Sequence, residues 1–303
     1  MLLAETAAPA FSWNLAADLR EMWSYLFMVN AFRAGAVVAV VASAAGWFMV
    51  LRRQTFAGHT LAVVAFPGAA LATLLGLPVP LGYLGACTAA ALGLALLRDS
   101  GRAGAAQESA ATGTVQAFAL ACGFLFVTLY KGLLGGPQAL LFGTFLGITT
   151  GQVALLTAVG AAVLLALALI ARPLLFATLD PDVAAARGVP VRLLGAAFLL
   201  LLGTATAEAG QITGSLLVFA LLVMPAATAQ VLTARPVLGL LLSALIGLAA
   251  CWLGLFAAYY QPYPLGFFVT TFAFAGYLLA HLGRALHTVL GRTRGPLPTG
   301  APA

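Results

Sequence analysis

Apolar runs of roughly 20 residues follow one another along almost the whole chain, separated by short clusters of glycine, proline and charge. A helix crossing the hydrocarbon core of a bilayer needs about 20 such residues. The pattern predicts about nine spans, near residues 31–50, 57–77, 80–97, 110–130, 152–171, 191–208, 213–230, 237–258 and 265–282. Backbone groups in lipid must be paired within the chain, so these spans are expected to be helices. Residues 12–28, SWNLAADLREMWSYLFM, interleave tryptophans and charges with apolar residues, which predicts a helix lying along the interface. Residues 131–152, KGLLGGPQALLFGTFLGITTGQ, are too broken by glycine and proline for a clean span. They predict a short re-entrant or surface helix beside a cavity, because broken backbone at membrane depth needs protein or water around it. The chain thus divides into an N-terminal segment (1–29), a membrane domain (30–283) and a disordered tail (284–303) ending in GRTRGPLPTGAPA.

Composition agrees with a bilayer. The 303 residues are 63% hydrophobic and 7% charged, against roughly 45–50% apolar and about 25% charged in soluble domains. The net charge of +6 suits nucleic acid in principle, but the placement of the basic residues gives it another meaning. If the first span runs inward, Arg52, Arg53, Arg98, Arg102, Arg172, Arg187, Arg192, Arg235, Arg284, Arg292 and Arg294 fall on one side. Arg20, Arg33 and Lys131 fall on the other. The arginine-rich side, including the C-terminus, is therefore expected in the cytoplasm, and no nucleic-acid partner is expected. Cys87, Cys122 and Cys251 are widely spaced within apolar segments and read as packing residues. Glu5, Asp18 and Glu21, with no basic region before the first apolar stretch, argue against a cleavable signal peptide. Neither an H-E-x-x-H motif nor a G-x-x-x-x-G-K-[ST] phosphate loop occurs. Intramembrane catalysis is not supported, and any ATP hydrolysis must reside on another chain.

Few polar residues fall inside the spans. His59, in RRQTFAGHTLAVV, carries an imidazole that suits transition metals but that equally suits a hydrogen bond near the cytoplasmic end of a helix. Glu208, in TATAEAGQITG, is either a solvated helix end at the outer surface or a group beside a path through the protein. Glu108 and Ser109 read as the capped start of the fourth span, and His281 and His287, flanking Arg284, as surface residues. The most polar cytoplasmic loop, RPLLFATLDPDVAAARGVPVR (172–192), contains a short helix. Asp180 or Asp182 caps it, Pro181 suits its first turn, and Gly188 supplies a left-handed end. This is either an ordinary connection or a docking helix for a soluble partner.

Four segments carry a resemblance: Arg52-Arg53-x4-Gly58-x2-Leu61-Ala62 followed by Gly68; ESAATG (108–113); TLDPDVAAARGVPV; and TGSLLVFALLVMPAATAQ (213–230), with Gly214 and Pro225. Together, from about residue 30 to 282, they resemble the ABC-3 family, the permease subunits of bacterial ABC importers for zinc and manganese. The resemblance implies an all-α, polytopic bundle of about 8–9 transmembrane helices in the bacterial cytoplasmic membrane. It implies a second copy of the chain, a separate ATPase subunit, and an extracellular or periplasmic solute-binding protein as partners. Asp180, Pro181, Asp182, Arg187 and Gly188 match the coupling helix, at about residues 178–190, that sits in a groove of the ATPase. The implied cargo is zinc first, then manganese or iron, with no permanently bound cofactor. The ligand pattern departs from the family's. Members usually carry aspartate where this chain has His59 and histidine where it has Val63. The aspartate of their LFG segment is Thr144 here, and a histidine of the fourth span falls near Ala117, beside Gln116. The expected path is therefore a weak one, made by His59, Glu208, Thr144 and Gln116 with Thr60 and Gln211, and weak sites suit a conduit. The missing ligands also leave open a metal chelate or other small solute, or a scaffold without transport.

Overall fold

The computed structural model describes residues 14–99, 105–130, 140–141, 143, 147–261 and 263–292. Thr144, most of the glycine-broken 131–146 stretch, the first 13 residues and the end of the tail (293–303) lie outside the described residues. The described chain is helical: α1 (Leu15–Ser24), α2 (Leu26–Leu51), α3 (Thr55–Leu74), α4 (Val79–Asp99), α5 (Ala105–Leu129), α6 (Thr150–Leu179), α7 (Pro181–Ala186), α8 (Val191–Thr213), α9 (Ser215–Leu232), α10 (Pro236–Tyr260) and α11 (Leu265–Arg292). Among the described residues, eight helices are long and apolar enough to cross a membrane, and α9 adds a shorter apolar stretch, Leu217–Leu232. If α9 crosses as well, the described helices alternate through nine crossings that bring the C-terminal ends of α2, α6, α9 and α11 to the same side. Hydrogen bonds there agree with this. Arg52 Nη1 donates to Thr178 Oγ1 at 2.9 Å, Gln230 Nε2 to the Trp47 carbonyl at 3.0 Å, and Arg284 Nη1 to the Val231 carbonyl at 2.9 Å. At the opposite end Asn30 Nδ2 donates to the Ile148 carbonyl at 3.0 Å and Trp252 Nε1 to the Phe32 carbonyl at 3.3 Å.

α2 is the central helix, packed on α6, α8, α9 and α10, while α3 packs on α4, α5, α8 and α9. Lipid tails are as apolar as leucine, so helices in a bilayer associate where small residues let backbones meet. That is the device used here. A Cβ on Gly46 would strike the Leu222 carbonyl, and Gly68 and Gly82 face each other so closely that a Cβ on either meets the other's backbone. Ser243 Oγ adds a 2.9 Å bond to the Ser43 carbonyl between α10 and α2. α1 lies beside the N-terminal end of α2 and the C-terminal end of α10: Trp23 stacks on Phe32, and Tyr259 Oη reaches Glu21 at 3.5 Å.

Several boundaries differ from the sequence expectation. The first span begins at Leu26, not near 31, so the interfacial helix is confined to α1. α6 does not stop near 171 but continues through Pro173 to Leu179. A proline removes one backbone bond, and burial of Leu174 and Ala177 offsets that cost. At 30 residues and 1.5 Å per residue, α6 is about 45 Å long, against a hydrocarbon core of about 30 Å. It is longer than that core is thick, and α7 follows directly on its end. Finally, the tail expected to be disordered from residue 284 is helical as far as Arg292. LGRALHTVL, a run free of proline and rich in helix formers, extends α11, and Thr288 Oγ1 bonds back to the Arg284 carbonyl.

Candidate functional site

α8 and α9 are one continuous direction change at a single residue. Gly214, at φ 73 and ψ 157, ends one helix and begins the next. The residue matters twice, because the conformation disfavours any side chain and because its backbone meets Leu141 and Gly143, itself at φ 72. Tyr83 Oη adds a 3.0 Å bond to the Leu140 carbonyl. The described part of the glycine-broken segment thus seats on the α8–α9 junction and on α4.

One turn and a half before that junction lies Glu208. It is 1% exposed, and neither carboxylate oxygen has a hydrogen-bond partner. Glycine at 160 makes room for it: a Cβ there would stand 2.9 Å from Oε1 and 2.9 Å from the methyl groups of Val37 and Val41. Those valines lie near the midpoint of the 26-residue α2, so the carboxyl group sits near mid-depth. The solvated helix end is thereby excluded. A charged group at the centre of a membrane helix costs about 3 kcal/mol on insertion scales. Apolar packing gives nothing back for that cost.

His59 sits in the first turn and a half of α3, half-buried, its ring edge-on to Phe219 of α9 with centroids 4.9 Å apart. Its Nδ1 is buried without a hydrogen-bond partner. Gly58, beside it, is fitted against Met49, whose sulfur a Cβ would strike. The next residue, Thr60, is buried; its hydroxyl donates to the Phe56 carbonyl at 3.0 Å and lies 3.2 Å from Gln116 Oε1 on α5. Thr60 also lines a cavity of about 360 Å³ between α3, α4 and α5, walled by small residues such as Ala86, Ala90 and Gly93. The structure therefore joins Thr60 to Gln116, sets His59 next to them on Phe219, and places Glu208 against α2 and α6. Gln211, also on α8, turns its amide to its own helix, donating to the Ala207 carbonyl at 3.4 Å. Among the described residues no three His, Cys, Asp or Glu side chains converge to hold a metal ion. Thr60 and Gln116 were expected along one path, and the structure brings these two into direct contact.

At the arginine-rich end, Asp180 rather than Asp182 caps α7: its carboxylate accepts from the Val183 amide at 3.0 Å, with Pro181 in the first turn. Arg187 closes the helix, and Gly188, at φ 80, reverses the chain so that the Val189 amide returns to the Ala184 carbonyl at 3.0 Å. Ala184 is fully buried and anchors the element. Asp182, Val183 and Arg187 are exposed. Pro225, in α9, is buried within its helix.

Comparison with known proteins adds what the geometry alone does not. Residues 24–284 match the ABC 3 transport family. The chain is 30% identical over 243 residues to the manganese transport system membrane protein MntC of Halalkalibacterium halodurans, covering 80% of this chain and 82% of that protein. It is 29% identical over 279 residues to the chelated iron transport system membrane protein YfeC of Yersinia pestis, covering 91% and 94%. Among solved structures, PsaBC from Streptococcus pneumoniae in complex with Fab superposes with a TM-score of 0.79 at 27% identity, over 88% of this chain and 95% of that one.

Proposed function

Since the chain belongs to the ABC 3 transport family, we propose that it is the membrane-spanning subunit of an importer for a divalent transition metal, driven by ATP hydrolysis on a partner subunit. A second copy completes the pathway and a solute-binding protein delivers the cargo at the outer side. The observation that carries this reading is the buried, unpartnered carboxyl group of Glu208 at mid-depth, inside a fold whose arginine-rich end offers the exposed, capped α7. An intramembrane acid facing the bundle interior marks a path for cations in membrane proteins generally.

The cargo order changes from the sequence expectation. Relatives named for manganese and chelated iron stand behind this reading, so manganese and iron come ahead of zinc. The donors agree. Glu208, Gln116 and Thr60 offer oxygen, with His59 as the nitrogen donor. Oxygen donors suit manganese, whereas zinc favours three or four close nitrogen, sulfur or carboxylate ligands. Thr144 is retained as a pathway residue by its place in the motif alone.

In this mechanism Asp180, Pro181, Asp182, Arg187 and Gly188 form the contact with the ATPase. Closure of the two ATPases moves α7, the projecting α6 transmits the motion as a rigid rod, and the seam of α2, α6 and α8 around Glu208 opens to one side and then the other. The test is uptake of manganese, iron and zinc by cells lacking their own importers and expressing the chain with its ATPase and binding protein. Saturable, ATPase-dependent uptake of manganese or iron is expected; no uptake of any of the three by a well-expressed complex overturns the reading. A second reading, a metal chelate as cargo, is favoured by the absence of three converging ligands among the described residues and by the iron-chelate relative. Uptake that occurs only with the chelated metal would select it.

A further inference from the structure

We propose that Asn30 is the first oxygen donor on the path to Glu208, and that the cargo cation enters between the N-terminal ends of α2 and α6. The inference rests on the transport reading and adds to it a point of entry and a residue that meets the cargo there. Asn30 is 2% exposed, yet only half of its amide is used. Its Nδ2 donates to the Ile148 carbonyl at 3.0 Å, while its Oδ1 is buried and has no hydrogen-bond partner. Burying an amide oxygen without a partner destabilises a fold. The bond to Ile148 explains the nitrogen and leaves the oxygen unexplained. A passing cation explains it, because a carbonyl oxygen is a neutral ligand suited to manganese and other hard divalent ions.

The helices connect this oxygen to Glu208. α2 and α6 begin side by side, where Asn30 meets Ile148 just before the first turn of α6. Further along, Val37 and Val41 of α2 and Glu208 of α8 close around Gly160 of α6: a Cβ on that glycine would stand 2.9 Å from an atom of each. Val37 follows Asn30 by about two turns, so both project from one side of α2, about 10 Å apart along its axis. Ala34, fully buried between them on that side, is small and carries no charge to repel a cation. The seam of α2 and α6 thus has an unpaired oxygen near its start and the two unpaired oxygens of a carboxyl group further in. Its start lies at the end opposite the arginine-rich one, where a solute-binding protein is proposed to deliver the cargo. Weak sites in series let an ion leave as well as enter.

Two roles are open to Asn30, pinning Ile148 and meeting the cation, and side-chain chemistry separates them. Asn30→Ala loses both the nitrogen and the oxygen. Asn30→Asp keeps an oxygen and adds a charge but, as a carboxylate, cannot donate to the Ile148 carbonyl. The test is the rate of manganese uptake by cells expressing the chain with its ATPase and binding protein, corrected for the amount of complex in the membrane. Asn30→Ala is expected to lower that rate about fivefold, the worth of one neutral oxygen donor. Asn30→Asp is expected to restore most of the parent's rate although the bond to Ile148 is gone, because a carboxylate oxygen suits the same ions. If Asn30 only pins Ile148, both variants lose the same bond and fall together. That result, or unchanged uptake in Asn30→Ala, overturns the inference while the parent's uptake upholds the transport reading. A parent complex that moves none of manganese, iron or zinc overturns both.

Discussion

Glu208 has to be explained as a residue before it can be explained as a site. Helix packing has no use for a carboxyl group with two unsatisfied oxygens, and the glycine at 160 that accommodates it is a gap in an otherwise apolar interface. If the group meets the cargo, removing its charge while keeping its shape matters more than removing its bulk would in a packing role. Glu208→Gln is therefore expected to lower manganese uptake at least about tenfold, equivalent to ~1.4 kcal/mol, with expression and thermal stability at or above those of the parent. A variant that is stable and transports normally would falsify the assignment. His59→Ala gives a second, independent reading. Its ring is only half-buried against Phe219, so loss of the ring should cost little stability, and a severalfold fall in uptake measured with radioactive manganese identifies it as part of the path. Unchanged uptake makes it a packing residue. Sequence alone brought Glu208 to notice as a rare acid among apolar residues, but not its depth. The expected span ended at 208, whereas α8 runs five residues further and breaks only at Gly214. That difference converts a helix end into an interior position. That Thr60 and Gln116 belong together was expected from sequence, but their direct contact was not, because it depends on how α3 and α5 pack, which apolar periodicity does not record.

At the scale of elements, two glycines make opposite predictions. Gly188 has a left-handed φ of 80 and open space around it, so only backbone conformation limits what replaces it. Gly188→Val places a β-branched side chain in a region costing roughly 1–2 kcal/mol and should misdirect the end of α7. Gly188→Asn, which tolerates that region, should not. In proteoliposomes the valine variant is expected to hydrolyse ATP with severalfold less manganese moved per ATP, and the asparagine variant to remain coupled. Equal coupling in both removes α7 from the mechanism. Gly214 is constrained by conformation and by contact, since a Cβ would enter the backbone of Leu141 and Gly143. Gly214→Ala should lose about 3 kcal/mol or more, seen as a large fall in the melting temperature of the purified protein. Both glycines were legible in the sequence as parts of motifs, and the α7 cap was legible down to a choice between two aspartates. The end of α6 was not. Arg172-Pro173 reads as punctuation, yet a proline in a helix costs one hydrogen bond, and the buried face of the next two turns outweighs it.

For the whole molecule, the alternation of nine crossings and the gathering of arginines at one end are a single statement, because each fails without the other. If α9 did not cross, α10 and α11 would be inverted, and Arg284 would leave the end that holds Arg52 and Arg192. The hydrogen bond from Arg284 to the end of α9 and that from Gln230 to Trp47 hold these ends together. Nearly all of this was present in the apolar pattern, which does not depend on fine packing. The direction in which the bundle is proposed to sit in the membrane rests on the arginines. It also fixes which face meets the ATPase: α7, carried about 45 Å along α6, must be cytoplasmic for the coupling scheme to work. Single cysteines decide it. Ala186→Cys, on the exposed side of α7, and Gln261→Cys, at the exposed far end of α10, are to be treated with a membrane-impermeant maleimide in intact cells and in inside-out vesicles. Cys87 and Cys251 are buried, and Cys122→Ala removes the remaining half-buried thiol. Gln261→Cys should label in cells, and Ala186→Cys only in inverted vesicles. The reverse pattern would place α7 outside, out of reach of any ATPase, and end the coupling mechanism even if every residue-level prediction held.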